Sequence, residues 1–139
     1  MNNLTTQSGT ALLLQAAHDL LQTRDTNRVM SIIVSIARKI TDAEGATFIL
    51  REIDSCFFAD EDAIQPLWKG SRFPIHQRIE DHAIENKQTL CIEDIYTDKR
   101  IDKEVYQSTF IRSLVVVPFH NNTSTGAIGI YRSGVHLHR

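Results

Sequence analysis

Apolar positions along this chain follow a helical spacing first and a strand spacing afterwards. From Gly9 to Leu21, the residues Leu13, Ala16, Ala17, Leu20 and Leu21 recur at three and four, which predicts an amphipathic helix. Leu12 and Leu14 widen its apolar stripe, a surplus that either packs on the parent domain or meets the same helix of a second chain. Residues 1 to 8 are polar and are expected to be loose. Asp25 or Thr26 is placed to cap a second helix, because a side-chain oxygen there can accept an orphan N–H of the first turn. In that helix Val29, Ile32, Ile33, Ile36, Ala37 and Ile40 form the apolar stripe, and Arg28, Ser31, Ser35, Arg38 and Lys39 take the other side. Burying each isoleucine is worth roughly 1.5–3 kcal/mol, so the helix should lie on something flat and apolar. Asp42 to Gly45 ends it, with Gly45 suited to the left-handed conformation past a C-terminus.

Strands follow. Ala46 to Ile53 and Cys56 to Ala59 read as a hairpin around Asp54-Ser55. The acidic run Asp60-Glu61-Asp62 then suits the N-terminus of a short helix or turn reaching Trp68, limited by Pro66. Arg72 to Ile75 reads as an edge strand, Ile79 to Lys87 as a short helix, and Thr89 to Ile92 as another strand. Asp102 to Tyr106 reads as a capped helical turn. Leu114-Val115-Val116-Val117 is the longest β-branched apolar run, and it predicts a strand over 112–119 buried on both faces. Asn121 to Ser124 is the turn into a last strand, Thr125 to Arg132. Hairpin-linked strands with helices segregated to one side give an α+β fold. The expectation is a central antiparallel sheet of about six strands, with the 9–42 helices on one face and short helices and loops of 60–110 over a candidate pocket on the other. Residues 45–132 would supply the sheet and that cover, all within one domain.

Composition narrows the class. The 139 residues carry a net charge of −2 with both signs interspersed, which gives no electrostatic footprint for nucleic acid or an anionic membrane. Two cysteines, Cys56 and Cys91, are too few for a disulfide framework and lack metal-site spacing. No leucine cluster is long enough for a signal segment or a span. The simplest setting is cytoplasmic and reduced.

Candidate chemistry sits mostly between residues 67 and 119. Trp68, Phe73, Tyr96 and Phe110 are the large aromatics of the irregular face, able to line a pocket for a flat molecule or to fill it as core. Asp94 can accept loop N–H groups two residues on, and Arg100 could pair with Asp94 or Asp98. Arg112 and Ser113 open the long strand, where they could meet an anionic ligand, with Arg112 alternatively reaching the acidic loop. His82 could serve as a haem or metal ligand, although a lone histidine is more simply a surface residue. His136, His138 and His120 could share a metal, but terminal histidines are usually solvated, so no metal and no haem are expected. There is no Walker loop, serine elbow or zinc spacing.

The order FILRE, LWKGSRFP, NKQTLCIEDIYTDKRI, FIRSLVVVPF and TGAIGIYR resembles a GAF domain over Asp25 to Tyr131, of the type placed ahead of kinase or cyclase modules in bacterial signalling proteins. The resemblance implies a six-stranded antiparallel sheet, dimerisation through the helical layer and a ligand pocket on the opposite face. It also implies regulatory work rather than catalysis, with a histidine kinase or cyclase output domain in a longer parent chain. Two departures stand out. Many relatives carry glycine where this chain has the bulky, charged segment Arg78 to Ala83. Bilin-binding relatives attach pigment through a cysteine followed by histidine, and neither Cys56 before Phe57 nor Cys91 before Ile92 matches. The expected function is a small-molecule or partner sensor acting through dimer helices. The alternatives are a dimerisation unit without a ligand and, more remotely, a thiol enzyme like the free methionine sulfoxide reductases.

Overall fold

In the computed structural model, residues 2–120 and 124–136 are described, with the side chains of residues 2–8 and 21 left aside. The expected turn at Asn121 to Ser124 therefore falls largely outside the described residues. Helix α1 spans Asn2–Gln22, so it runs through the segment expected to be loose. Helix α2 spans Thr26–Thr41, and the Asp25 carboxylate accepts the Asn27 N–H at 3.0 Å, as the capping pattern predicts. Its other end departs from expectation. Asp42, not Gly45, takes the left-handed position at φ 54°. Gly45 instead opens the first strand, where a Cβ would sit 2.9 Å from the Phe110 ring.

Six strands form one antiparallel sheet in the order β3-β2-β1-β6-β5-β4. They are β1 (Gly45–Arg51), β2 (Ser55–Ala63), β3 (Arg72–Pro74), β4 (Leu90–Ile92), β5 (Ser113–His120) and β6 (Thr125–Arg132). Helix α3 (Ile79–Asn86) and a 3-10 turn at Lys103–Val105, capped by Asp102, complete the fold. The acidic run does not start a helix; it belongs to β2. A bulge opposite Phe48 and Ile49 re-phases that strand. Asp62 then meets Arg38 of α2 at 2.7 Å, while Glu61 accepts the N–H groups of Leu67, Trp68 and Lys69 at 2.8–2.9 Å. Each of these acids has a specific partner, which is why a strand tolerates them.

The sheet divides two apolar clusters. On the α2 face Met30 and Val34 are buried with Ala46 and Phe48, flanked by Ile33, Ala37, Phe119 and Ile128. The sheet-facing stripe of α2 is thus Met30–Ile33–Val34–Ala37, one position round from the predicted one. Ile32 and Ile36 instead line the cleft with Leu12 and Ala16 of α1. Helix α2 is a middle layer, apolar toward both the sheet and α1. The other face carries the larger cluster, including Ile49, Phe58, Ile84, Ile92, Ile95, Leu114, Val116 and Tyr131. Strand β5 is not buried on both faces. Leu114 and Val116 point into the larger cluster, whereas Val117 alternates onto the opposite, α2 face, paired with Ile128, and is 41% exposed there.

Candidate functional site

The irregular face is built on α3 and on the loop that precedes it. Arg78, Ile79, Glu80 and Asp81 are consecutive, and all are buried. Glu80 lies in the first turn of α3, where a carboxylate is favoured by the helix dipole. Its oxygens accept hydrogen bonds from Tyr106 Oη and Tyr131 Oη, both at 2.9 Å, and from Arg78 at 3.2–3.3 Å. The Thr47 hydroxyl in turn donates to Tyr131 Oη at 2.9 Å. Gly129 makes this possible, since a Cβ there would collide with Tyr131 Oη and Thr47 Oγ1.

Around this group the aromatics stand edge to face, Phe58 with Trp68 and with Phe73, and Trp68 with Tyr106 and with Tyr131, at centroid distances of 5.4–5.8 Å. The Arg78 guanidinium lies against four of these rings. Burial works against its charge, but the charge and hydrogen bond of the adjacent Glu80 carboxylate, together with Tyr106 and Tyr131, outweigh it and hold the pKa above the ordinary value. Burial, followed by the Glu80 charge, pushes both tyrosine hydroxyls well above their usual range. They are fixed as donors.

A second buried carboxylate sits beside the first. Asp81 accepts from Arg51 Nη1 at 2.8 Å, the His76 N–H at 2.6 Å and the Cys56 thiol at 3.2 Å. Burial, then the hydrogen bond to Asp81, pushes Cys56 up to about 12, so its thiol stays protonated and is a poor nucleophile. Cys91 lies on β4, four strand spacings or about 19 Å from β2. It also faces the other side of the sheet, beside Val115. The two thiols cannot bridge.

The sequence candidates divide accordingly. Trp68, Phe73 and Phe110 pack against the larger cluster. Tyr96 does not join them; it is exposed, and its ring contact is with Arg112 at 5.0 Å. Arg112 reaches Asp94 in a two-pronged pair at 2.8 and 3.1 Å, and Asp94 also accepts the Tyr96 N–H at 2.9 Å. This orders the loop and holds the Asp94 carboxyl below its usual range, chiefly through Arg112. Arg100 pairs with Asp98, not Asp94. Ser113 donates to the Gly134 carbonyl at 2.7 Å, so it ties down the C-terminal segment instead of opening a pocket. His82 is exposed on the outer side of α3, away from the buried group. Among the described residues no set of three His, Cys, Asp or Glu could hold a metal; His138 lies outside them. Sequence reasoning missed Arg78, Glu80, Tyr106, Tyr131 and Phe58. The charged segment at 78–83 was the available signal, but a charge run reads as a surface until its partners are known.

The sequence matches a model of the GAF domain family over residues 25–139. No curated protein matches it. Among solved structures it is similar to free methionine-R-sulfoxide reductase from Neisseria meningitidis, determined in complex with its substrate (TM-score 0.76, 16% identity, 91% of this chain and 74% of that one). A putative GAF sensor protein from Burkholderia vietnamiensis matches with TM-score 0.76, 13% identity and coverage of 94% and 81%. The GAF domain of an Acinetobacter phosphoenolpyruvate-protein phosphotransferase matches with TM-score 0.76, 9% identity and coverage of 93% and 79%. At these identities the likeness speaks for the fold.

Proposed function

The chain belongs to the GAF domain family, and on that premise we propose that it is the regulatory module of a signal-transduction protein, acting without catalysis of its own. A small ligand or partner at the α3 face biases the packing of α2 and α1, and with it the geometry of a homodimer. The observation that carries this reading is the sharing of strands between the two faces. Thr47, hydrogen-bonded to Tyr131, lies between Ala46 and Phe48, which carry Met30 and Val34 of α2. Next to Tyr131, Arg132 donates to the Thr41 carbonyl at 2.6 Å, at the end of α2. A shift of Tyr131 is therefore felt by α2 through both β1 and β6, a contiguous route of the kind that coupling requires.

The open side of α1 supports the dimer. Leu13 and Leu14 are 57% and 67% exposed while Leu12 and Ala16 turn toward α2. Light scattering on the full chain tests this: the wild type should be a dimer, and Leu13→Glu/Leu14→Glu a monomer with an intact sheet. A monomeric wild type sinks the reading. In a longer parent chain the output would be a histidine kinase or cyclase domain, in a cytoplasmic setting that suits two free thiols. No helix among the described residues is long and apolar enough to cross a membrane.

A second reading, a dimerisation unit with no ligand, is favoured by the filling of the α3 face with the chain's own Arg78 and aromatic rings. The thiol-enzyme reading asks for a reactive pair, and the position and protonation of Cys56 argue against it. Reductase activity that disappears on replacing Cys56 and Cys91 together would restore it.

A further inference from the structure

The side chain that fills the α3 face is itself shaped like a ligand. Arg78 enters from a surface loop, just after exposed His76 and Gln77, and is 5% exposed. Its guanidinium carbon lies 4.0 Å from the Trp68 ring centroid, 4.5 Å from Phe73, 4.9 Å from Phe58 and 5.5 Å from Tyr106. Ring faces attract a cation through their quadrupoles, most strongly when water is excluded. Glu80, fully buried, supplies the counter-charge. Aromatic walls with one carboxylate are the means by which proteins hold guanidinium and methylated ammonium groups. Resting on the regulatory reading above, we propose that this cage is a site for a compact organic cation with a guanidinium or methylated ammonium head, and that Arg78 is the resident occupant which the ligand displaces.

Electrostatics selects the class of guest. Two of the hydrogen bonds to Glu80 come from Arg78. Withdrawing that guanidinium without replacement leaves a buried carboxylate without its counter-ion, which is strongly unfavourable. A neutral or anionic guest does nothing to relieve this, whereas a cation does. Tyr106 and Tyr131 keep their protons and go on donating to Glu80 in either state. The exit is an open groove of about 530 Å³ lined by Trp68, Phe73, Gln77, Arg78, Asp102 and Val105. Exposed Asp102 places negative charge at its rim. The loop bearing Arg78 has His76 at φ 69°, and Asp81 holds it there through the His76 N–H.

Because the resident side chain must leave first, the apparent affinity of the wild type is lowered by the fraction of time the cage stands open. Trp68 is the single tryptophan of the chain, so its fluorescence reports the cage without background. The full chain is titrated with methylguanidinium chloride and with tetramethylammonium chloride, each against sodium chloride of equal ionic strength. We expect a saturable change in Trp68 emission for at least one cation in the wild type. Arg78→Ala should reach it at a concentration about tenfold lower or less. Adding Glu80→Gln to that variant should weaken binding about tenfold or more.

Wild-type emission that tracks the sodium chloride curve for both cations overturns the proposal, and so does undiminished binding after Glu80→Gln. The wild-type titration requires no variant to fold and is decisive by itself. The readout is local to Trp68, so a silent Trp68 sinks the cation site and leaves the dimer reading standing. A monomer in light scattering does the reverse.

Discussion

Tyr131 is the residue at which one atom should matter most. Its hydroxyl joins Thr47 on one strand to Glu80 on α3, and its ring packs on Trp68. Tyr131→Phe keeps the ring and leaves both hydrogen-bond partners short of one bond in a buried setting. A loss of about 1–3 kcal/mol in urea unfolding is expected. The same group predicts an alkaline limit. Tyr106, Tyr131 and Cys56 all have folded-state pKa values raised above the usual 10.0, 10.0 and 9.0. The folded state thus keeps protons that the unfolded chain gives up. Their contribution is whole below pH 9.0 and is lost as pH climbs through the raised folded-state values. The melting temperature should fall steadily between about pH 9 and pH 11, and Tyr131→Phe should flatten that fall. A flat profile in the wild type would show that these protons are not held by folding.

Among the elements, β6 is the one under the tightest steric constraint. Its Gly129 lies beneath the Thr47–Tyr131 bond, where an added methyl would meet both oxygens, one of them on the neighbouring strand. Gly129→Ala should cost about 1–3 kcal/mol by overpacking, read as a lower urea midpoint. A neutral result would mean that the two hydroxyls can part without loss. Strand β2 shows the opposite strategy. Its acidic run is accommodated because the bulge turns Asp62 toward Arg38 and Glu61 toward the 67–69 N–H groups. Helix α2 belongs to two interfaces at once, which explains why its apolar residues span more of its circumference than one stripe.

At the scale of the whole molecule, two clusters share one sheet, and the larger is on the side that holds Arg78 and Glu80. Strands β1 and β6 contribute to both, whereas α1 packs on α2 and keeps Leu13 and Leu14 open. Native-state hydrogen exchange in dilute solution should find α1 opening first and the amides of β1 and β6 opening last. Equal protection of α1 and β1 would contradict this layering. The same arrangement suits regulation, since the weakly held outer helix is the part a second chain or an attached domain would meet.

The amino-acid sequence determined the elements and their order. The Asp25 cap, the 3-10 turn after Asp102, the α3 segment and the β5–β6 pair were legible because capping and periodicity are set by residues a few positions apart. The likeness to GAF domains was legible for the same reason, being carried by short contiguous motifs. Only the tertiary structure decided which side of α2 meets the sheet, how far β2 extends, and that Arg78 and Glu80 are interior. Glu80 is satisfied by Tyr106 and Tyr131, 26 and 51 positions away. Whether a charge is buried depends on partners that chain folding brings from such distances, and no local spacing encodes them. Arg112 and Asp94, 18 positions apart, were paired correctly from the sequence as one alternative, yet only packing separated them from the aromatic group around Trp68.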